Sequence, residues 1–203
     1  MSLEDFLTEE KPIKTKFQPK QRRSQAMKRI ANNTYRRAFS ETQLLDITND
    51  FKWQNGDSYH FITGGDVDGL SYLKLILRQQ KLEYCLLSTW VMAAEDIYLC
   101  RDYLEQKLIK QIDFYLGEVY QGNYPQEYAL LKQTVKEYGG TLKTFKNHAK
   151  IMTGYGDRFY FGVEGSANIN TNPRTENACI TIGEEIYHFY RDYYDGIQGF
   201  KEN

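Results

Sequence analysis

The chain has 203 residues, enough for one domain with a real core plus an appendage. Its composition, 41% hydrophobic and 15% aromatic with 17 tyrosines, is globular, and no run approaches the ~18 apolar residues that a membrane span needs. The start, MSLEDFLTEEK, shows no apolar signal region, and three scattered cysteines (Cys85, Cys100, Cys179) without CxxC spacing argue against a disulfide frame or zinc knuckle and fit a reducing cytoplasm.

The net charge of −1 hides an asymmetry. Between Lys11 and Arg37 lie ten basic residues and no acid, which leaves 16 basic against 27 acidic residues in the rest of the chain. An acidic body thus carries a basic arm. Such a block reads either as a solvated tail or as an electrostatic footprint for a polyanion, with salt-dependent affinity from counterion release. Met27, Ile30, Ala31, Thr34, Tyr35 and Ala38 fall on one face of a helix. Arg23, Lys28, Arg29, Arg36 and Arg37 point in its other directions, and Arg22 belongs to the same basic block. These six are the candidate nucleic-acid contacts. The apolar stripe is too poor in large hydrophobes to favour a membrane surface.

From residue 58 onward, strand-like and helix-like stretches alternate. YHFIT (59–63) is a short β-rich run, and GLSYLKLILRQQ (69–80) has helical spacing. EYCLLSTW (83–90) reads as a buried strand, 94–106 as a helix, IKQIDFYLG (109–117) as a third strand. A helix over 125–139 has proline at its start and glycine at its end. TLKTFK, HAKIMTGY, FYFGVEGSA and ACITIG follow as strands separated by turns, and a last helix over 184–196 stacks Ile186, Phe189, Tyr190, Tyr193 and Ile197 on one side. The pattern predicts a layered α/β domain with a mixed sheet flanked by helices, over 58–203, behind a basic helical arm over 1–57.

The stretch NHAKIMTGYGDRFYFGVEGSANINTNPRTENACI (147–180) holds the chemistry. In a strand, residues i and i+2 share a face, so His148 and Lys150 are expected to point into one cleft with Ala149 turned to the core. The same rule puts Ser166 and Asn168 together, just past Gly165, where a ligand can approach the backbone. Glu176 precedes the apolar run ACITI. An imidazole, an ammonium, a hydroxyl, a carboxamide and a carboxylate suit a phosphate, with lysine as point charge and serine and asparagine as neutral donors. Arg174 reads equally as a phosphate contact or a solvated loop charge.

This constellation resembles the signature of the phospholipase D superfamily: HxK, then Asp, then GSxN, here HAK (148–150), Asp157 and GSAN (165–168), with the RTEN glutamate after it. The spacing departs at one point, because Asp157 follows Lys150 by seven residues where the family has five; Asp157 reads as a substrate contact or as a surface-turn residue. The resemblance implies a phospholipase D-like fold and metal-independent, cofactor-free phosphodiester chemistry. In that scheme His148 attacks phosphorus to form a phosphohistidine, Glu176 bonds its other ring nitrogen, and Lys150 and Asn168 steady the phosphoryl oxygens. A single motif implies a homodimer that brings two histidines to one phosphorus.

With the basic arm, these residues point to a nuclease-like phosphodiesterase acting on nucleic acid, DNA ranked ahead of RNA, in a bacterial or phage setting. The alternative from another class is a non-catalytic nucleic-acid-binding module that keeps the fold. Phospholipid hydrolysis ranks lower, because lipid-acting relatives carry two motifs in a longer chain.

Overall fold

Seven short runs of β-branched and aromatic residues pair edge to edge in the order β1-β7-β6-β5-β2-β3-β4. The computed structural model describes residues 40–169 and 174–199, so the arm cations Arg22, Arg23, Lys28, Arg29, Arg36 and Arg37 lie outside the described residues. The strands are β1 (Ser58–Thr63), β2 (Leu82–Thr89), β3 (Ile112–Gly117), β4 (Leu142–Phe145), β5 (Ile151–Gly156), β6 (Tyr160–Gly165) and β7 (Glu176–Ile182). Strands β2, β3 and β4 run parallel, whereas β5, β6, β7 and β1 continue the sheet antiparallel. The mixed sheet expected from the sequence is therefore present. Its parallel half needs helical crossovers, and its antiparallel half needs only short turns.

The helices are α1 (residues 40–47), α2 (Gly69–Leu77), α3 (Ala94–Glu105), α4 (Tyr120–Asn123), α5 (Pro125–Tyr138) and α6 (Glu184–Asp195). One face of the sheet packs against α1, α2, α3 and α5 in the main core. There Leu44, Leu70, Leu73, Ile76, Ile97, Leu104 and Leu131 meet Cys85, Leu87, Phe114, Met152, Phe161 and Ile180. Trp53, in the chain between α1 and β1, is buried in the same cluster. Cys85 and Cys100 are fully buried, and burial pushes both thiols well up, so they pack as small hydrophobes.

Among the described residues, the other face is covered by α6, through Tyr84, Leu86, Tyr115, Tyr187 and Tyr194. The helix approaches β6 so closely that a Cβ at Gly162 would stand 2.8 Å from the Ile186 side chain. A second link is ionic: Arg191 of α6 reaches buried Asp113 of β3 at 2.9 Å. The apolar stripe expected on α6 is corrected here. Phe189 and Tyr193 are exposed, and the buried residues are Tyr187 and Tyr194. Ile186 and Tyr190 of the expected stripe do face Gly162, and the helix is turned so that Tyr187 and Tyr194 are buried beside them.

The turn FITGGDVDGL behaves as a strand-to-helix connection. Gly65 adopts φ +81°. Asp68 then caps α2 by accepting the Ser71 amide at 3.1 Å, while the Ser71 hydroxyl faces the Asp68 amide in return.

Candidate active site

The ends of β1, β2, β3 and β6 and the starts of β5 and β7 meet at one edge of the sheet. Every residue of the HxK and GSxN patterns lies at that edge. β5 begins at Ile151, so His148, Ala149 and Lys150 run outside the strand in which the sequence places them. Ala149 is exposed and not turned to the core, because the segment has passed beyond the sheet and no core lies beneath it.

Asn147 fixes that segment. Its side chain is buried. The Nδ2 group donates to Ser88 Oγ and to the Tyr115 carbonyl, each at 3.0 Å, and lies 3.4 Å from the Thr89 carbonyl. Its Oδ1 accepts the Ala149 amide at 3.0 Å. One carboxamide thus ties the histidine loop to the ends of β2 and β3, and Ser88 is anchored in turn by the Tyr194 hydroxyl of α6 at 2.7 Å. Pattern and periodicity in the sequence do not single out Asn147. Its place directly before the HxK pattern is the one signal that could mark it.

His148 and Lys150 do come together. The Lys150 ammonium stands 2.9 Å from His148 Nδ1 and 3.3 Å from Nε2, and it donates to the His148 carbonyl at 2.6 Å. Burial lowers the Lys150 proton affinity, and the Glu176 carboxylate opposes that fall. The His148 ring is exposed, and it meets the Trp90 indole, centroid to centroid 5.4 Å.

The 165–168 turn arches from β6 toward the end of β2. The Gly165 amide donates to the Lys150 carbonyl at 3.2 Å, and the Ser166 amide to the Asn177 carbonyl at 3.0 Å. Past Asn168, the Ile169 amide approaches Thr89 Oγ1 at 3.4 Å. A Cβ at Gly165 would lie 2.6 Å from the Asn177 carbonyl, so the glycine admits β7 and not a ligand. The Asn168 carbonyl accepts the Gly69 amide of α2 at 3.4 Å, while its Oδ1 is buried without a hydrogen-bond partner.

Glu176 differs from its expected role. Its Oε2 accepts the Ser166 hydroxyl, which also receives the Asn177 amide at 3.0 Å. The carboxylate therefore acts on Ser166 directly and on Lys150 through space, and it is not on the His148 ring. Asp157 sits exposed in the β5–β6 turn, at the opposite end of that hairpin from Lys150 and Gly165. The geometry of a hairpin does not bring it to the site. Arg174 is exposed in the approach to β7.

A groove of about 680 Å³ is lined by His148, Lys150, Ser166, Asn177, Cys179 and His60, among others. Asn168 lies outside that lining. The groove has the donor set of an anion site, with one ammonium, a hydroxyl and two imidazoles.

No protein-family model and no curated protein matches the chain. Solved structures do. NucT from Helicobacter pylori superposes with a TM-score of 0.51 at 15% identity, over 71% of this chain and 99% of that one. The polyphosphate kinase from Porphyromonas gingivalis superposes with the same TM-score at 12% identity, over 72% of this chain. This chain spans only 27% of that kinase's length. At such identities the likeness is one of fold, and the fold is the layered α/β arrangement of phospholipase D type, a mixed seven-stranded sheet between helices.

Proposed function

We propose that the protein is a metal-independent phosphodiesterase of phospholipase D type that cleaves nucleic acid through a phosphohistidine at His148, its site completed by a second copy of the chain. The observation that carries this reading is the Lys150 ammonium set against an exposed His148 ring at the mouth of the groove. The likeness of fold to phosphoryl-transfer enzymes supports the same chemistry.

The steps follow from the residues. A neutral His148 nitrogen attacks phosphorus as the P–O bond to the leaving oxygen breaks, and that oxygen takes a proton from His148 of a second copy. The second imidazole, now neutral, takes a proton from water as the water oxygen bonds to phosphorus and the P–N bond breaks, which frees the phosphate product and restores His148. Lys150 swings from the histidine carbonyl to the non-bridging oxygens and holds their charge in both steps. On this reading the Ser166 hydroxyl turns from Glu176 to the phosphate, and the Asn168 amide reaches it from outside the groove lining; losing one such neutral donor costs on the order of 10²–10³ in rate. The basic arm supplies non-specific hold on the phosphate chain.

The test is incubation of single-stranded oligonucleotide and plasmid with wild type and His148→Asn in excess EDTA. Cleavage that persists in chelator and is lost in the variant is the expected result. Hydrolysis that needs added magnesium overturns the reading. Retention of DNA by both proteins without cleavage assigns the chain to nucleic-acid binding alone.

A further inference from the structure

The Trp90 indole is the one large aromatic group in contact with the His148 ring among the described residues. It is 37% exposed, whereas Trp53, the chain's other tryptophan, is buried. The placement of Trp90 is built in: the residue lies at the end of β2, and its carbonyl accepts the Gly117 amide at 3.2 Å. A Cβ at Gly117 would stand 2.3 Å from the indole Cδ1, so β3 ends on a glycine where the ring must lie flat against the backbone.

The geometry points to Trp90 as a stacking subsite for an unpaired nucleobase next to the phosphate held by His148 and Lys150, an inference that rests on the nucleic-acid reading above and names the form of substrate it takes. The His148 imidazole contacts both groups, with the Trp90 ring centroid 5.4 Å from its own and the Lys150 ammonium 2.9 Å from its Nδ1. A nucleotide's base hangs one sugar away from its phosphate. A phosphate seated on the imidazole and ammonium therefore leaves its neighbouring base beside the indole face. Every base offers such a face, so the stack tolerates any sequence, but a base still stacked and paired in a duplex cannot present it. The subsite thus selects an unpaired strand.

Fluorescence reads this directly, because Trp53 is shielded and Trp90 is the tryptophan a ligand can reach. The test titrates the His148→Asn variant with a single-stranded oligonucleotide, an abasic strand of the same length, and a blunt duplex. The oligonucleotide quenches emission saturably, while the abasic strand binds by charge without quenching, and so does the duplex. In the Trp90→Ala, His148→Asn double variant the oligonucleotide loses roughly five- to a hundred-fold in affinity and the abasic strand is unchanged. Trp90→Phe recovers most of the loss and controls for folding. Equal quenching by the abasic strand or the duplex, or equal losses for both single strands, overturns the stacking subsite while leaving the nucleic-acid reading intact. If none of the three binds, the nucleic-acid reading itself fails, and the subsite with it.

Discussion

Lys150 sits between two influences. Burial weakens its hold on the proton, and the Glu176 carboxylate strengthens it. If the ammonium holds the phosphoryl oxygens, activity falls on the alkaline side as that proton leaves, at a pH below the range of an ordinary lysine. Glu176→Gln removes the opposing charge, so Lys150 deprotonates earlier and the alkaline limb moves to lower pH. Lys150→Arg abolishes the limb, since a guanidinium stays charged, at a reduced maximal rate. A pH–rate profile of oligonucleotide cleavage checks all three. An unmoved limb in Glu176→Gln would confine that carboxylate to its hydrogen bond with Ser166. The meeting of His148 with Lys150 was legible in the sequence because two residues of spacing survive even where the strand gives out. The partner of Glu176 was not, since Ser166 and His148 both lie within reach of β7 and only the arch of the 165–168 turn puts the hydroxyl first.

Ahead of the Gly165–Lys150 backbone bond, the histidine segment is held largely by side-chain hydrogen bonds, and Asn147 supplies four of them. Replacing Asn147 by alanine leaves the Tyr115 and Thr89 carbonyls and the Ser88 hydroxyl short of a donor in a buried place. We expect a loss of about 1–3 kcal/mol in denaturant stability. We also expect a fall of roughly 10²-fold in kcat from misplacement of His148, with KM little changed. Lower stability with kcat intact would show that Asn147 acts on the fold and not on the nucleophile. At this scale the sequence was a good guide: each named strand from β1 to β7 and the long helices α2, α3, α5 and α6 lie where hydrophobic period and turn residues put them. Two details escaped it. The period of two continues through HAKIM, so nothing local says that β5 starts at Ile151. In α6 the aromatic residues crowd both sides of the helix, so period alone does not say that Tyr187 and Tyr194 turn inward beside Ile186 and Tyr190.

Across the whole molecule, an acidic body carries a basic arm, and on the proposed reading the two divide the work of binding. If the arm holds phosphates while the groove holds the scissile one, deleting residues 1–39 flattens the dependence of DNA affinity on salt. The log–log slope falls by about 0.7–0.9 for each phosphate that the arm had neutralised. Cleavage at low salt survives. An unchanged slope would place the whole of the electrostatic attraction in the groove. The sequence shows the asymmetry of charge plainly, but where the arm lies on a substrate is set by no periodicity.

The sheet pairs its first strand with its last, β1 with β7, and inserts β5 and β6 between β7 and β2. During synthesis, β1 therefore leaves the ribosome long before the strand that completes its edge, while β2, β3 and β4 can associate early with α2, α3 and α5. His148 and Lys150 gain their neighbours Ser166 and Glu176 only after β6 and β7 have been made. A nascent chain of this kind cannot bring these four side chains together until β7 has been made, and pairing over so long a separation in sequence slows that step of folding.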